Sequence, residues 1–195
     1  MKKLLLTLVI ALCMTAQAAM ADTPSDPENT LNLDLKDGRV VIQLRPDLAP
    51  EHVKRIKELT RMGFYNGLLF HRVIEGFMAQ TGDPTGTGRG GSGSNIKAEF
   101  TQEPFVRGTV GMARANDPDS ADSQFFICFA DASFLHGKYT VWGQVTSGME
   151  FVDRIARGEP PADPDKIIKM QVAADADKPA ETTPAPAPAP APVTP

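Results

Sequence analysis

The chain has 195 residues, enough for one domain of ordinary size with a full core. Its 20 Lys and Arg stand against 24 Asp and Glu, a formal charge of −4. That balance argues against an electrostatic binder of nucleic acid or of a membrane surface.

Lys2-Lys3 precedes an apolar run, Leu4 to Met14, too short to span a bilayer as a helix. Ala16-Gln17-Ala18 and Ala19-Met20-Ala21 are both small-x-small cleavage sites. Residues 1–21 therefore read as a secretory signal peptide. The expected location is the periplasm or the exterior, with no membrane insertion after cleavage. A lipoprotein is excluded because Leu12, not a small residue, precedes Cys13. Cleavage removes Lys2 and Lys3 and leaves 18 basic against 24 acidic residues, a net −6. It also removes Cys13, so Cys128 has no partner for an internal bridge and the core must hold the fold. Within Phe125–Phe129, Cys128 reads as a buried inert thiol.

Residues 22–30 are polar, carry Pro24 and Pro27, and read as a linker. Leu31, Leu33 and Leu35 alternate with polar residues, as do Val40, Ile42 and Leu44, and Asp37-Gly38 between them signals a hairpin. Pro50 suits the first position of a helix. Val53, Ile56 and Leu59 then recur at three-residue spacing among charges. Gly63 is placed to end this helix in the left-handed conformation, and His52 reads as a solvent-side residue.

Phe70 to Ile74 reads as a strand with Phe70, Arg72 and Ile74 on one face and His71 and Val73 on the other. Glu75-Gly76 is a turn, and Phe77 to Gln80 a second short strand. Arg72 is the odd member. A full charge in an apolar segment is paired, exposed at an edge, or there for chemistry.

Gly82 to Asn95 holds six glycines, including the literal G-x-G-x-x-G of Gly86–Gly91. The dinucleotide reading fails, since it needs a buried parallel strand before the glycines and a helix after them. No Gly-Lys-Ser/Thr occurs, which excludes a Walker A loop. The stretch reads as a flexible surface loop beside a site. Val106 to Ala115 is strand-like. Asp117, Asp119 and Asp122 lack the central Gly and terminal Glu of an EF-hand, so this stretch reads as a solvated turn and no metal site is expected. Gln124 to Phe129 is an aromatic strand, with Phe125, Ile127 and Phe129 on the core face and Phe126 opposite. Ser133 to Gly137 is a turn, and Tyr139 to Val145 another strand. Ser147 to Glu150 fits a capping box opening a second helix, with Phe151, Val152 and Ile155 inward. Pro160, Pro161 and Pro164 mark a loop before a closing strand at Ile167 to Val172.

From Ala173 the composition changes. Seven of the 17 prolines fall in 173–195, and Ala and Pro alternate from Pro184 to Pro192. Such a tail favours extended polyproline II over a core and reads as a spacer or a solubilising tail. The domain proper is thus residues 31–172. About eight short strands joined mainly by turns, with two helices, favour an antiparallel barrel or sandwich over a doubly wound sheet. A barrel of that size is filled by its own side chains, so a ligand would sit outside, against one face.

Five stretches, FHRVIEGFMAQTGD (70–83), GTGRGG (86–91), GTVGMARA (108–115), SQFFIC (123–128) and PDKIIKMQV (164–172), resemble the cyclophilin-type peptidyl-prolyl cis-trans isomerases. The resemblance runs in order from Leu31 to Val172. With the signal peptide and tail outside it, the chain is similar to an exported bacterial member. The resemblance implies a mostly-β fold, a closed eight-stranded antiparallel β-barrel capped by two α-helices. It implies that Arg72 is catalytic and that Phe77, Met78, Phe126 and Leu135 hold the substrate proline. Gln80 would bind the substrate backbone, Ala113 and Gln124 would line the site, and the backbone of Arg114 would pair with the peptide. Phe134 and Tyr139 would complete the rim. It implies no cofactor and no metal, and proline-containing unfolded or partly folded polypeptides as partners; a small monomer is the default expectation. Phe134 stands where eukaryotic members often have Trp, which implies weak cyclosporin binding. Arg114 and Tyr139 stand where members often have Asn and His.

Two other functions compete. A non-catalytic chaperone module that holds proline segments would not need the charge of Arg72. A secreted hydrolase would need a nucleophile and a base, but only His52, His71 and His136 are available and no Gly-x-Ser-x-Gly occurs.

Overall fold

A computed structural model describes residues 26–176. Among them are eight strands and two α-helices: β1 (Thr30–Leu35), β2 (Gly38–Leu44), α1 (Pro50–Arg61), β3 (Arg72–Ile74), β4 (Met78–Thr81), β5 (Thr109–Met112), β6 (Phe125–Cys128), β7 (Val141–Ser147), α2 (Met149–Val152) and β8 (Lys169–Val172). The strands form one curled sheet in the order β3-β4-β6-β5-β7-β2-β1-β8, and every paired neighbour is antiparallel.

The sequence suggests a closed barrel. The observed sheet ends at β3 and β8, with no ladder between them. Their approaches meet at the isolated bridge Leu69–Lys166, where the Phe70 N–H donates to the Asp165 carbonyl at 2.9 Å and the Ile167 N–H to the Leu68 carbonyl at 2.9 Å.

The alternation of Leu31, Leu33, Val40 and Ile42 puts all four inside, fully buried. From the far side come Phe125, Ile127 and Trp142, with the Trp142 ring edge-on to Phe125 at 5.4 Å and Tyr65 edge-on to Phe125 at 5.5 Å. Helix α1 adds Val53, Ile56 and Leu59. Gly63 (φ 70°) ends it as expected, with its N–H donating to the Thr60 carbonyl and the Phe64 N–H to Leu59.

Several local expectations are corrected. His52 is fully buried rather than solvent-facing. Ala49 offers no side-chain cap to α1, and the Glu99 carboxylate takes that role from a distant loop. It accepts the Glu51 N–H at 3.1 Å and the His52 N–H at 3.0 Å, and lies 2.6 Å from His52 Nδ1. Burial lowers the His52 pKa against the opposing pull of Glu99. The expected capping box does not form. Ser147 ends β7, and Gly148 at φ 84° is the N-cap of a one-turn α2. Phe70 joins the main core with Val73 instead of sharing the Arg72 face, because the strand begins only at Arg72.

Residues flanking 31–172 fold against the domain at both ends. Asp26 caps a 3-10 turn at Pro27–Asn29, and β1 already includes Thr30. Glu28 receives hydrogen bonds from Lys57 and Arg61, and Arg61 Nε donates to Asp175 at 2.8 Å. The described ends of the two supposed spacers are thus tied to α1. The signal peptide, and the tail from Asp177, lie outside the described residues.

Gly82, at φ 90°, follows β4 directly and packs against the approach to β6, so that a Cβ there would fall 2.5 Å from the Ser123 carbonyl oxygen. Gly82→Ala is expected to destabilise the domain by roughly 2–3 kcal/mol. In a thermal melt that corresponds to a fall in Tm of about 4–12 °C, and an unchanged Tm would contradict it.

Candidate active site

The register of three strand pairs builds one row across the outer face of the sheet. Arg72 on β3 lies opposite Gln80 on β4, Gln80 opposite Phe126 on β6, and Phe126 opposite Gly111 on β5. The next row inward, Val73, Ala79, Ile127 and Val110, faces the main core. This is the period-two alternation of strands, repeated in step on four of them. Gly111 is needed in its row, because a Cβ there would meet the rings of Phe105 at 2.5 Å and Phe126 at 2.6 Å.

Beneath the row lies a second apolar cluster of Met78, Phe105, Phe126, Cys128, Leu135 and Val141, flanked by Phe77, Ala113 and Tyr139. Phe105 stacks on Phe126 at 5.8 Å, and Tyr139 stands edge-on to Phe126 at 6.0 Å. Phe134 is 59% exposed and contacts Phe77 at 5.2 Å between ring centroids. Cys128 is buried in this cluster, and burial pushes its thiol up to about 12, so it stays protonated and inert.

Above the cluster is a groove of about 900 Å³. Its walls include Arg72, Phe77, Met78, Gln80, Ala113, Arg114, Phe126, Phe134, Leu135 and Tyr139. Every residue singled out from the sequence is brought there except Gln124, which stands one step behind. Gln80 Nε2 donates to Gln124 Oε1 at 2.8 Å, and Gln124 Nε2 donates to the carbonyls of Gly90 (2.8 Å) and Gly88 (3.1 Å). The Arg114 guanidinium lies 4.5 Å from the Tyr139 ring centroid and donates to the carbonyls of Lys138 and Ala115. Its charge is thereby tied to the wall.

Arg72 is held on two sides. Its Nη1 donates to Gln80 Oε1 at 3.3 Å, and its Nε donates to Glu159 Oε2 at 2.7 Å. The other guanidinium N–H groups have no hydrogen-bond partner among the described residues. Glu159 also lines the groove, with Pro160, His71, Gly86, Thr87 and Gly88. None of these six was named as a site residue from the sequence, although Gly86, Thr87 and Gly88 belong to the stretch read as a loop beside a site. His71 was placed on the face away from Arg72, but it precedes the strand, so the alternation does not reach it. Burial lowers its pKa, against the pull of the Asp83 charge. Glu159 has no local signal. It reaches Arg72 because Gly158 and Val73 exchange backbone hydrogen bonds at 2.8 and 2.9 Å.

The glycine-rich stretch is bound down rather than loose. Asp83 accepts the Thr85 N–H at 2.7 Å, the Thr85 hydroxyl at 2.8 Å and the Gly88 N–H at 2.6 Å. Asp122, expected in a solvated turn, accepts the N–H groups of Ser92 (3.0 Å) and Gly93 (2.8 Å) and the Ser92 hydroxyl. No grouping of His, Cys, Asp and Glu among the described residues could hold a metal ion.

Among the described residues no hydroxyl or thiol in the groove is hydrogen-bonded to a histidine ring, and a permanently charged fork beside an apolar pocket suits a reaction in which no covalent bond breaks. The comparisons agree. Residues 30–172 match the model of the cyclophilin type peptidyl-prolyl cis-trans isomerase family. A probable peptidyl-prolyl cis-trans isomerase of Brucella suis is 54% identical over 175 residues, covering 81% of this chain and 89% of that protein. Peptidyl-prolyl cis-trans isomerase B of Bacillus subtilis is 44% identical over 128 residues, 64% of this chain and 89% of its own. Among solved structures, cyclophilin AquaCyp293 from Hirschia baltica has a TM-score of 0.71 at 30% identity, covering 77% of this chain and 76% of that one. A cyclophilin type isomerase of Cryptosporidium parvum, crystallised in the presence of the dipeptide Ala-Pro, has a TM-score of 0.68 at 28% identity, covering 73% and 98%. The chain belongs to the cyclophilin-type peptidyl-prolyl cis-trans isomerase family and is an enzyme of that class.

Acid tests the binding of the loop. Burial works against ionisation of Asp83, but the hydrogen bonds from Thr85, Gly90 and Gly88 outweigh it and hold the carboxyl at about 2. The unfolded value is about 3.9. Its contribution is therefore fully present above about pH 4 and is lost as the pH falls towards about 2, amounting to roughly 2 kcal/mol. Urea unfolding at several pH values should show Asp83→Asn less stable than the parent at pH 5, with the gap closing at low pH. A constant gap would contradict the assignment.

Proposed function

We propose that this groove accelerates rotation about X-Pro bonds of exported polypeptides during folding, with Arg72 as the catalytic residue. The observation that carries the reading is the guanidinium fixed by Gln80 and Glu159 at the rim of the Phe126 pocket. Phe77, Met78, Phe126 and Leu135 would take the proline ring, worth roughly 2 kcal/mol for an apolar group of that size. The barrier to be lowered is about 18–20 kcal/mol and arises from resonance between the prolyl nitrogen and the carbonyl. As the bond twists, the nitrogen pyramidalises and gains a lone pair. An Arg72 N–H can donate to that lone pair, which is unavailable in the planar ground state, so the interaction favours the transition state selectively. Each ~1.4 kcal/mol of such selectivity gives about tenfold in rate.

The remaining roles follow the same geometry. Gln80 would hold the substrate backbone near Arg72, with Ala113 and the Arg114 backbone along the peptide and Phe134 and Tyr139 at the rim. Gln124 would act through Gln80. Export to the periplasm is supported by Lys2-Lys3, the apolar run and the cleavage motifs. A monomer that binds cyclosporin weakly completes the proposal, the latter because Phe134 offers a smaller face than Trp and no ring N–H.

The test is X-Pro exchange in a short peptide, measured by NMR with the parent and with Arg72→Lys. The parent should exchange the peptide rapidly, and Lys, which keeps the charge but not the planar fork, should lose at least one order of magnitude. Equal rates would remove Arg72 from the mechanism. A bound peptide that exchanges with neither protein would point to a non-catalytic binding module.

A further inference from the structure

The chain carries its own candidate ligand for this groove. Ala185-Pro186, Ala187-Pro188, Ala189-Pro190 and Ala191-Pro192 follow one another in the tail, without a charge from Thr182 to Pro195. We propose that this Ala-Pro segment docks in the active-site groove of the same molecule and is turned over there, a competitor for client polypeptides. The inference rests on the isomerase reading of the groove.

Three observations support it. The first is chemistry. The pocket floor is apolar, with Met78, Phe126 and Leu135 each at most 7% exposed, and the groove's two arginines are already engaged, Arg72 by Glu159 and Arg114 by backbone carbonyls. An uncharged Ala-Pro unit presents a small residue and a ring, with nothing to compete for those charges.

The second is reach. The Leu69–Lys166 bridge brings the approach to β8 beside the approach to β3. The chain path from Arg72 through that bridge to Ala176 limits their separation to about 50 Å at ~3.3–3.6 Å per residue. From Asp177, a polyproline II path at about 3.1 Å per residue carries Pro192 about 50 Å. The last Ala-Pro unit therefore just spans even the limiting distance.

The third is mass action. A segment tethered to the domain that bears its site meets that site at an effective concentration set by the tether, whatever the protein concentration. Weak affinity is then enough for appreciable occupancy. The last described residues favour this tether, because Asp175 is held by Arg61 and fixes where the tail departs.

The experiment uses the full labelled chain and reads cis–trans exchange of the tail's own prolines at the Thr183 and Val193 amides. The reference is a synthetic peptide of residues 177–195 alone, whose exchange takes tens to hundreds of seconds. In the intact chain the tail should exchange at least a hundredfold faster. The rate should be unchanged on tenfold dilution and should fall when a saturating X-Pro test peptide is added. A second chain with Pro186, Pro188, Pro190 and Pro192 all replaced by Ala should turn over the test peptide with KM lowered at least twofold and kcat unchanged. Tail exchange at the free-peptide rate, while the test peptide is turned over, would overturn the docking. Exchange proportional to protein concentration would also overturn it and assign the tail to the groove of a second copy. A chain that fails to turn over the test peptide would overturn the isomerase reading itself.

Discussion

Arg72 can sit at the mouth of an apolar pocket because its donors are shared out before any substrate arrives. Gln80 takes one N–H at 3.3 Å and Glu159 another at 2.7 Å. An unpaired charge beside Phe126 would cost desolvation energy, and a loosely held one would lose the geometric benefit of a planar fork. Much of the local architecture serves these two contacts. Gln80 is in turn held by Gln124, and Gln124 by the carbonyls of Gly88 and Gly90. Those glycines are placed by Asp83, and the adjoining Ser92-Gly93 turn by Asp122. Glu159 is placed by the exchange of backbone bonds between Gly158 and Val73, the residue after Arg72. A chain of hydrogen bonds thus joins the Arg72 guanidinium to loops far apart in sequence.

The sheet solves a second problem, that of keeping two apolar clusters apart. Strand β6 does so within four residues. Phe125 and Ile127 enter the main core, whereas Phe126 and Cys128 enter the cluster beneath the groove. The pocket is therefore built on the outer surface of a fully packed interior. A ligand need not open the core to bind, and the rings that would grip it are held in place by Phe105 and Tyr139 beforehand.

What the sequence revealed followed period and motif. The leucine alternation around Asp37-Gly38, the Val53–Ile56–Leu59 helix and the two faces of Phe125–Phe129 were legible because each depends on neighbours within a few residues. The groove's apolar wall and Arg72 were legible through the resemblance of several stretches in order. What was not legible depends on tertiary placement. Nothing near His52 says that Glu99 will cap its helix and bury it. Nothing near Glu159 points to Arg72, 87 residues away. The Asp83 and Asp122 contacts turn a stretch that reads as a flexible loop into a fixed wall. The capping-box pattern at Ser147 failed because β7 claims that serine.

The central claim is that Arg72 carries the rate acceleration and that Gln80, besides its contact with the substrate backbone, contributes chiefly by fixing the Arg72 guanidinium. A double-mutant cycle on kcat/KM, with Arg72→Ala, Gln80→Ala and the two combined, tests it most directly. The account predicts that Gln80→Ala costs about tenfold, about 1.4 kcal/mol, when Arg72 is present and much less once Arg72 is gone. Losses that simply multiply in the double variant would contradict it and would make the two residues separate contributors.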